Sequence, residues 1–273
     1  MERTLAILGT GRMGEALLSG LLRSGWAVPG QVRCTVRTPF RAAKLAQQYG
    51  VHADTDSPAA AAEADVLVLA VKPQNIRTLL DQIAPKVRSD QTVISVAAGV
   101  STRVIEDALG TEVPVVRVMS NVPVQVDEAM SAIAPGRFAG PDQLAIAEAI
   151  LGHVGRVVHL GEEHLDAVTA LSGSGPAYFA LIAEAMIDGG ILLGLSRDVA
   201  TELVVQTMVG SAKMLRATGQ HPVELRESVT SPGGTTIVAI RVLEQERVRA
   251  AFLNAIEAAK LRSEELGALN HGS

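Results

Sequence analysis

Short apolar runs alternate with amphipathic stretches through residue 160. The runs at 4–8, 31–36, 51–53, 65–71, 92–96, 114–119, 131–134 and 156–160 predict strands. Between them, 15–23, 41–49, 58–63, 75–85, 101–109 and 141–151 carry helical spacing. Segment 65–71 reads DVLVLAV, the continuous apolar character of a parallel strand covered on both faces. Such alternation predicts a doubly wound, Rossmann-like parallel sheet over residues 1–161. From residue 162 the pattern changes to helical periodicity with no strand signal. A long helical stretch, 163–193, is interrupted at Ser172-Gly173-Ser174-Gly175-Pro176, where a missing N–H beside small residues predicts a kink. Further helices are expected at 197–216, capped by Ser196, and at 248–266. They are apolar on more than one face, so residues 162–273 are expected to form an all-α domain that buries itself against a second subunit. The fold class is therefore α/β with a C-terminal helical dimerisation domain.

Composition narrows the partners. Of 273 residues, 48% are hydrophobic but only 3% aromatic, so the core must be Ala, Val, Leu and Ile. A net charge of −5 argues against nucleic acid or an anionic membrane surface. Cys34 is the lone cysteine and the six histidines lack ligand spacing, so neither a disulfide framework nor a metal site is expected. The apolar tract 177–195 is broken by Glu184, Asp188 and paired glycines, which argues against a membrane span. No leader is seen before the first strand, and a cytoplasmic location is expected.

Two stretches carry chemistry. Gly9-Thr10-Gly11-Arg12-Met13-Gly14 lies between the first strand and the first helix, which gives the G-x-G-x-x-G dinucleotide fingerprint its meaningful context. Gly9 permits the turn, Gly11 lets backbone approach the pyrophosphate, and Gly14 lets helix sit on strand. After the second strand come Arg37, Thr38 and Arg41 with no acid among them, which favours a 2′-phosphate and hence NADPH, with NADH the alternative. Ala70, Lys72 and Pro73 fall at the end of the 65–71 strand, Ala97 and Ala98 at the end of 92–96, and Asn121 beyond 114–119. Strand ends are where open sheets bind ligands, and all six complete the expected cofactor contacts, beside Arg12 and Met13.

The second stretch is Ser231-Pro232-Gly233-Gly234-Thr235-Thr236. It reads as a glycine-hinged turn entering a helix, with Thr235 or Thr236 as cap. Unpaired amides there suit an anion, and the absence of Lys or Arg between Arg226 and Arg241 suggests a small carboxylate rather than a polyphosphate. Ser231, Gly233, Gly234 and Thr235 are the expected substrate contacts, joined by Ser174 at the kink.

LGTGRMGEAL, AVKPQ, SVAAGV, ALSGSGPAYF, GSAKML and VTSPGGTTI occur in this order along the chain. On them the sequence resembles the pyrroline-5-carboxylate reductase family over essentially its whole length. The resemblance implies NAD(P)H-dependent reduction of the small molecule 1-pyrroline-5-carboxylate to L-proline, an intertwined homodimer and, in many members, a pentamer of dimers. It implies that the substrate carboxylate is held at Ser231, Gly234 and Thr235, and that Thr236, the expected catalytic residue, lies near the ring nitrogen. Where the family commonly reads M-P-N-T-P, this chain reads Met119-Ser120-Asn121-Val122-Pro123, and Ser57 stands where many members have asparagine. A 3-hydroxyacid dehydrogenase is the nearest enzymatic alternative, but it would need a lysine after the kink glycines, where Pro176 to Phe179 offer none. A non-catalytic NADP-binding sensor would have no use for SPGGTT beside SGSGP.

Overall fold

Residues 5–8 are apolar at every position, so the strand they form is buried on both faces. In the computed structural model, which describes residues 3–271, Leu5–Leu8 is β1, followed by α1 (Arg12–Arg23), β2 (Val32–Thr35), α2 (Pro39–Tyr49), β3 (His52–Asp54) and α3 (Ser57–Glu63). The next elements are β4 (Val66–Leu69), α4 (Ile76–Ile83), β5 (Thr92–Ser95), α5 (Thr102–Leu109), β6 (Val115–Met119), β7 (Ala129–Pro135), α6 (Pro141–Leu151) and β8 (Gly155–His159). They build one sheet in the order β3-β2-β1-β4-β5-β6-β7-β8. Leu8 stands beside Thr35 of β2 on one side and Leu69 of β4 on the other. The strand order reverses at β1, so a crevice opens at the carboxyl ends of β1 and β4.

Side chains alternate across the sheet and divide the core. Leu5 and Ile7 pack with Leu17, Leu18 and Leu21 of α1 on one face. Ala6 and Leu8 pack with Leu80 of α4 and Ile105 of α5 on the other. With few aromatics, closeness of approach does the filling: a Cβ on Gly20 would lie 2.2 Å from Val154.

The expected sheet is parallel except in one place, for β7 runs antiparallel to β6. Only residues 120–128 join them, largely as a 3-10 turn at Val122–Val126, and a parallel crossover needs a longer connection. Helix starts also differ. α1 begins at Arg12 rather than 15 and α2 at Pro39, a favourable first-turn proline, rather than 41.

Beyond β8 come α7 (Leu165–Val168), a π-helical turn (Thr169–Gly173), α8 (Gly175–Leu192), α9 (Arg197–Thr218), α10 (Pro222–Ser228), α11 (Thr235–Gln245) and α12 (Val248–His271). Two compact units result. One runs to Ser174 and resumes at Ala259; the other is Gly175–Ala258. Residues 162–174 stay with the sheet because Glu162 is pinned there. Its carboxylate accepts from Thr102 N at 2.8 Å and Thr102 Oγ1 at 2.7 Å, and pairs with Arg117 at 3.0 Å.

In the helical unit, α8 and α9 approach closely at Gly190, where a Cβ would lie 2.9 Å from that of Ala200. Among its residues only Gly175, Ala200 and Val204 are buried. Leu181, Leu192, Leu203 and Leu253 are all more than half exposed. By length and composition alone, Glu162–Leu192 would suffice to cross a membrane.

Candidate functional site

The glycine turn is built as its sequence requires. Gly9 sits at φ +85, and a Cβ there would lie 2.3 Å from Val71 Cγ1, so no other residue fits without movement. Gly9 N and Thr10 N both donate to Thr35 O, at 3.0 and 2.7 Å, which ties the turn to β2. At Gly14 a Cβ would meet Ile7 at 3.0 Å and Ala70 at 3.2 Å, so α1 rests directly on β1 and on the residue that follows β4. At Gly11 the nearest such atom is 3.9 Å away, leaving the approach open. Gly11 is the N-cap, and the N–H groups of Arg12, Met13 and Gly14 have no carbonyl behind them in the helix. An open glycine before free amides fits a pyrophosphate.

At the end of β2, Arg37 lines a cleft of about 370 Å³ with Gly9, Thr35, Ser57, Val71 and Thr78. Its guanidinium makes no ion pair among the described residues. Thr38 caps α2 by accepting from Arg41 N at 3.3 Å. Arg41, expected beside Arg37, is instead ion-paired with Glu15 of α1, whose carboxylate also accepts from Tyr49 OH at 3.3 Å. Burial, and then that same carboxylate, push the Tyr49 phenol above its usual value. Of the two arginines, Arg37 is thus the one without an ion-pair partner to share with a 2′-phosphate. Ser57, in place of asparagine, bonds Thr35 Oγ1 at 2.9 Å, and Thr35 Oγ1 in turn accepts from Gly9 N at 3.3 Å.

A second cleft, about 550 Å³, opens at the ends of β4 and β5. Pro73, Gln74, Ala98 and Gly99 line it, as do Thr169 of the π-turn and Ser174 just after that turn. Ala97 is buried beneath it, while Lys72 is exposed at the start of the 3-10 turn after β4. Arg262, Ser263 and Leu266 of α12 also line this cleft, and Ser263 Oγ is fixed by Asp166 at 2.6 Å. No local signal in the sequence marks these three, because helical spacing alone does not say which sheet edge a distant helix reaches. Asn121, expected at a cofactor edge, bonds protein at both ends. Its Nδ2 donates to Ser172 O and Oγ, each at 3.2 Å, and its Oδ1 accepts from Met130 N at 2.9 Å. Ser120, in place of proline, is held by Ser131 Oγ at 2.9 Å.

In the helical unit, the SPGGTT segment turns at Gly233, φ +70, and Gly234 N donates to Ser231 O at 3.1 Å. Gly234, not a threonine, is the N-cap of α11, without a side-chain cap. Thr235 and Thr236 are therefore the first two helical residues, and their hydroxyls are not consumed in capping. Ser231, Gly233 and Thr235 are exposed; Gly234 and Thr236 are half-buried.

A doubly wound sheet with a glycine phosphate cradle and an unpaired arginine past β2 defines a dinucleotide-binding protein of the NADP-dependent oxidoreductase class. Comparison with known proteins narrows this. Residues 4–99 match the family described as NADP oxidoreductase, coenzyme F420-dependent, and residues 162–266 match the family described as pyrroline-5-carboxylate reductase dimerisation. The chain is 44% identical over 267 residues to the pyrroline-5-carboxylate reductase of Methanosarcina acetivorans, covering 97% of this chain and 98% of that one. It superposes on the structure of a pyrroline-5-carboxylate reductase from Coxiella burnetii with a TM-score of 0.92 at 37% identity, over 97% and 99% of the two chains. For the Plasmodium falciparum enzyme solved with NADP bound, the TM-score is 0.88 at 29% identity, over 97% and 98%. The chain belongs to the pyrroline-5-carboxylate reductase family.

Proposed function

We propose that this protein reduces 1-pyrroline-5-carboxylate to L-proline with NADPH, as the last step of making proline. What carries the reading is full-length likeness to named reductases in a chain that keeps both the open glycine cradle and the SPGGTT turn. The free amides of Arg12, Met13 and Gly14 hold the pyrophosphate, Arg37 and Thr38 take the 2′-phosphate end, and Ala70, Lys72, Pro73, Ala97 and Ala98 line the remainder. When bound, the reduced nicotinamide supplies a hydride to the imine carbon.

At SPGGTT the substrate carboxylate docks on the amides around Gly233, Gly234 and Thr235, with Ser231 assisting, and Thr236 Oγ1 bonds the ring nitrogen. Ser174 is a further substrate contact. A protonated imine already accepts hydride well, so these residues need to orient rather than to donate a proton. Orientation of this kind is worth about 7–11 kcal/mol when geometry is right.

The functional division at residue 161/162, into a dinucleotide domain and a helical substrate and dimerisation domain, belongs to the same proposal. The protein is a homo-oligomer; a pentamer of dimers is the proposed form, in the cytoplasm, with the apolar helices covered by further copies rather than lipid. Nicotinamide absorbance gives the test. Oxidation of NADPH on adding 1-pyrroline-5-carboxylate is expected, with none on adding the ketones of 3-hydroxyacids. Oxidation with the ketones instead would make it a hydroxyacid dehydrogenase, and NADPH binding without turnover of either would make it a sensor.

A further inference from the structure

In an α-helix the N–H of residue 176 would bond the carbonyl of residue 172. Pro176 has no N–H, so the Ser172 carbonyl needs another donor. Asn121 supplies it. Nδ2 has two hydrogens, and both are used on Ser172, one on the carbonyl and one on the hydroxyl. The orientation is fixed at the other end, because Met130 N can only donate and Oδ1 must face it. The carboxamide therefore ties β7 to the helical segment through the one carbonyl that the proline leaves open.

The segment it ties is wider than an α-helix. Ser174 N donates to Thr169 O at 2.8 Å, a five-residue span, and residues 169–173 form a π-turn. Gly173 makes room for it, since a Cβ there would lie 2.4 Å from Met119 Cε at the end of β6. Thr169, at the start of this turn, and Ser174, just past its end, both line the 550 Å³ cleft with Ala98 and Gly99.

We propose that Asn121 is a positioning residue: it holds the π-turn at Ser172 O and so sets where Ser174 stands in the cleft. Its Nδ2 is committed to this task, because a contact from Nδ2 to the cofactor would break one of its two bonds to Ser172. This goes beyond the proposed reductase activity, though its kinetic arm rests on that reading.

Asn121→Asp is the decisive variant. It keeps the acceptor for Met130 N and puts an oxygen where the donor faced Ser172 O. Amide exchange over residues 169–175 should speed up by about tenfold or more, a readout that needs no turnover. NADPH affinity should change by less than about threefold, while kcat/KM for 1-pyrroline-5-carboxylate falls by about tenfold or more. Ser174→Ala should lower kcat/KM in the wild type, yet by less than about twofold in the Asn121→Asp background, since both changes act on one contact. Pro176→Ala, which gives Ser172 O a helical donor and lets the π-turn relax, should lower kcat/KM with Asn121 intact, and decides the matter should Asn121→Asp not fold.

Unchanged exchange in Asn121→Asp, a fall in NADPH affinity as large as the fall in kcat/KM, losses that multiply with Ser174→Ala, or a fully active Pro176→Ala would each overturn the proposal. A wild type that does not oxidise NADPH with this substrate would sink the reductase reading alone, and the exchange measurement would still stand.

Discussion

Thr236 is the second residue of α11, and with Gly234 as cap its hydroxyl is not committed to the helix end. Replacing it by alanine removes the hydroxyl proposed to bond the substrate nitrogen and should cost about 1–3 kcal/mol of transition-state stabilisation, roughly tenfold to a hundredfold in kcat/KM. Steady-state kinetics at limiting and saturating substrate check this, and wild-type values at both would take Thr236 out of the mechanism. Arg37 poses the complementary question about the cofactor. Since Arg41 is occupied by Glu15, Arg37→Ala should raise KM for NADPH by about tenfold or more and leave NADH nearly unchanged, so the ratio of the two is the informative number. Cys34 shows what a residue looks like when it has no such task. It is buried in β2, and desolvation pushes its thiol up to about 11, so at neutral pH it is a protonated packing group. The folded-state value lies above the ordinary thiol value of 9.0, so its effect on stability is absent below pH 9.0 and appears as a loss between there and about 11, where only the unfolded chain gives up its proton. Native protein at pH 8 should therefore resist alkylation at this cysteine, and modification before unfolding would contradict the burial.

Among the elements, those that carry function through their own backbone were the most legible. Gly9 and Gly14 show constraints that glycine alone meets easily, positive φ at the first and close approach at the second, while Gly11, at φ −86, leaves the approach open. Gly9→Ala should accordingly cost about 1–3 kcal/mol in backbone strain alone, with the clash at Val71 added, and should abolish NADPH binding. Calorimetric unfolding and cofactor titration read the two effects separately, and retained affinity would show that the turn is not the cradle. β1, β4 and β5 were legible for a different reason: strands covered on both faces leave continuous apolar runs. The direction of β7 was not, since hydropathy records which residues are buried and not which way the chain runs. Neither was α10, whose Pro222–Ser228 is short and largely polar. The π-turn lay halfway between. Pro176 marked an interruption, but the donor that meets the freed carbonyl is Asn121, more than fifty residues earlier. Arg41 and Arg262 escaped in the same way, because their partners and surroundings are tertiary.

The helical unit cannot account for itself as one chain. Residues 175–258 bury only three of their number, although α8 alone exposes Phe179, Leu181, Met186 and Leu192. Exposed apolar area on this scale costs about 25 cal/mol per Å² left in water, and a stable unit must cover it. The match of residues 162–266 to a dimerisation family points to a second copy as the cover. Folding and association are then one equilibrium, and stability must depend on protein concentration. About a hundredfold dilution should lower the unfolding midpoint by several degrees. Leu181→Glu combined with Leu203→Glu places charge on two exposed apolar positions of α8 and α9, and should shift sedimentation toward a smaller species while lowering the midpoint further. The sheet unit has its own two-sided core of Leu5, Ile7, Leu18, Leu80 and Ile105, so NADPH binding should survive in that species better than turnover does. A wild type that sediments as a monomer in detergent-free buffer, with a midpoint indifferent to dilution, would mean that these helices are covered by something other than the protein itself.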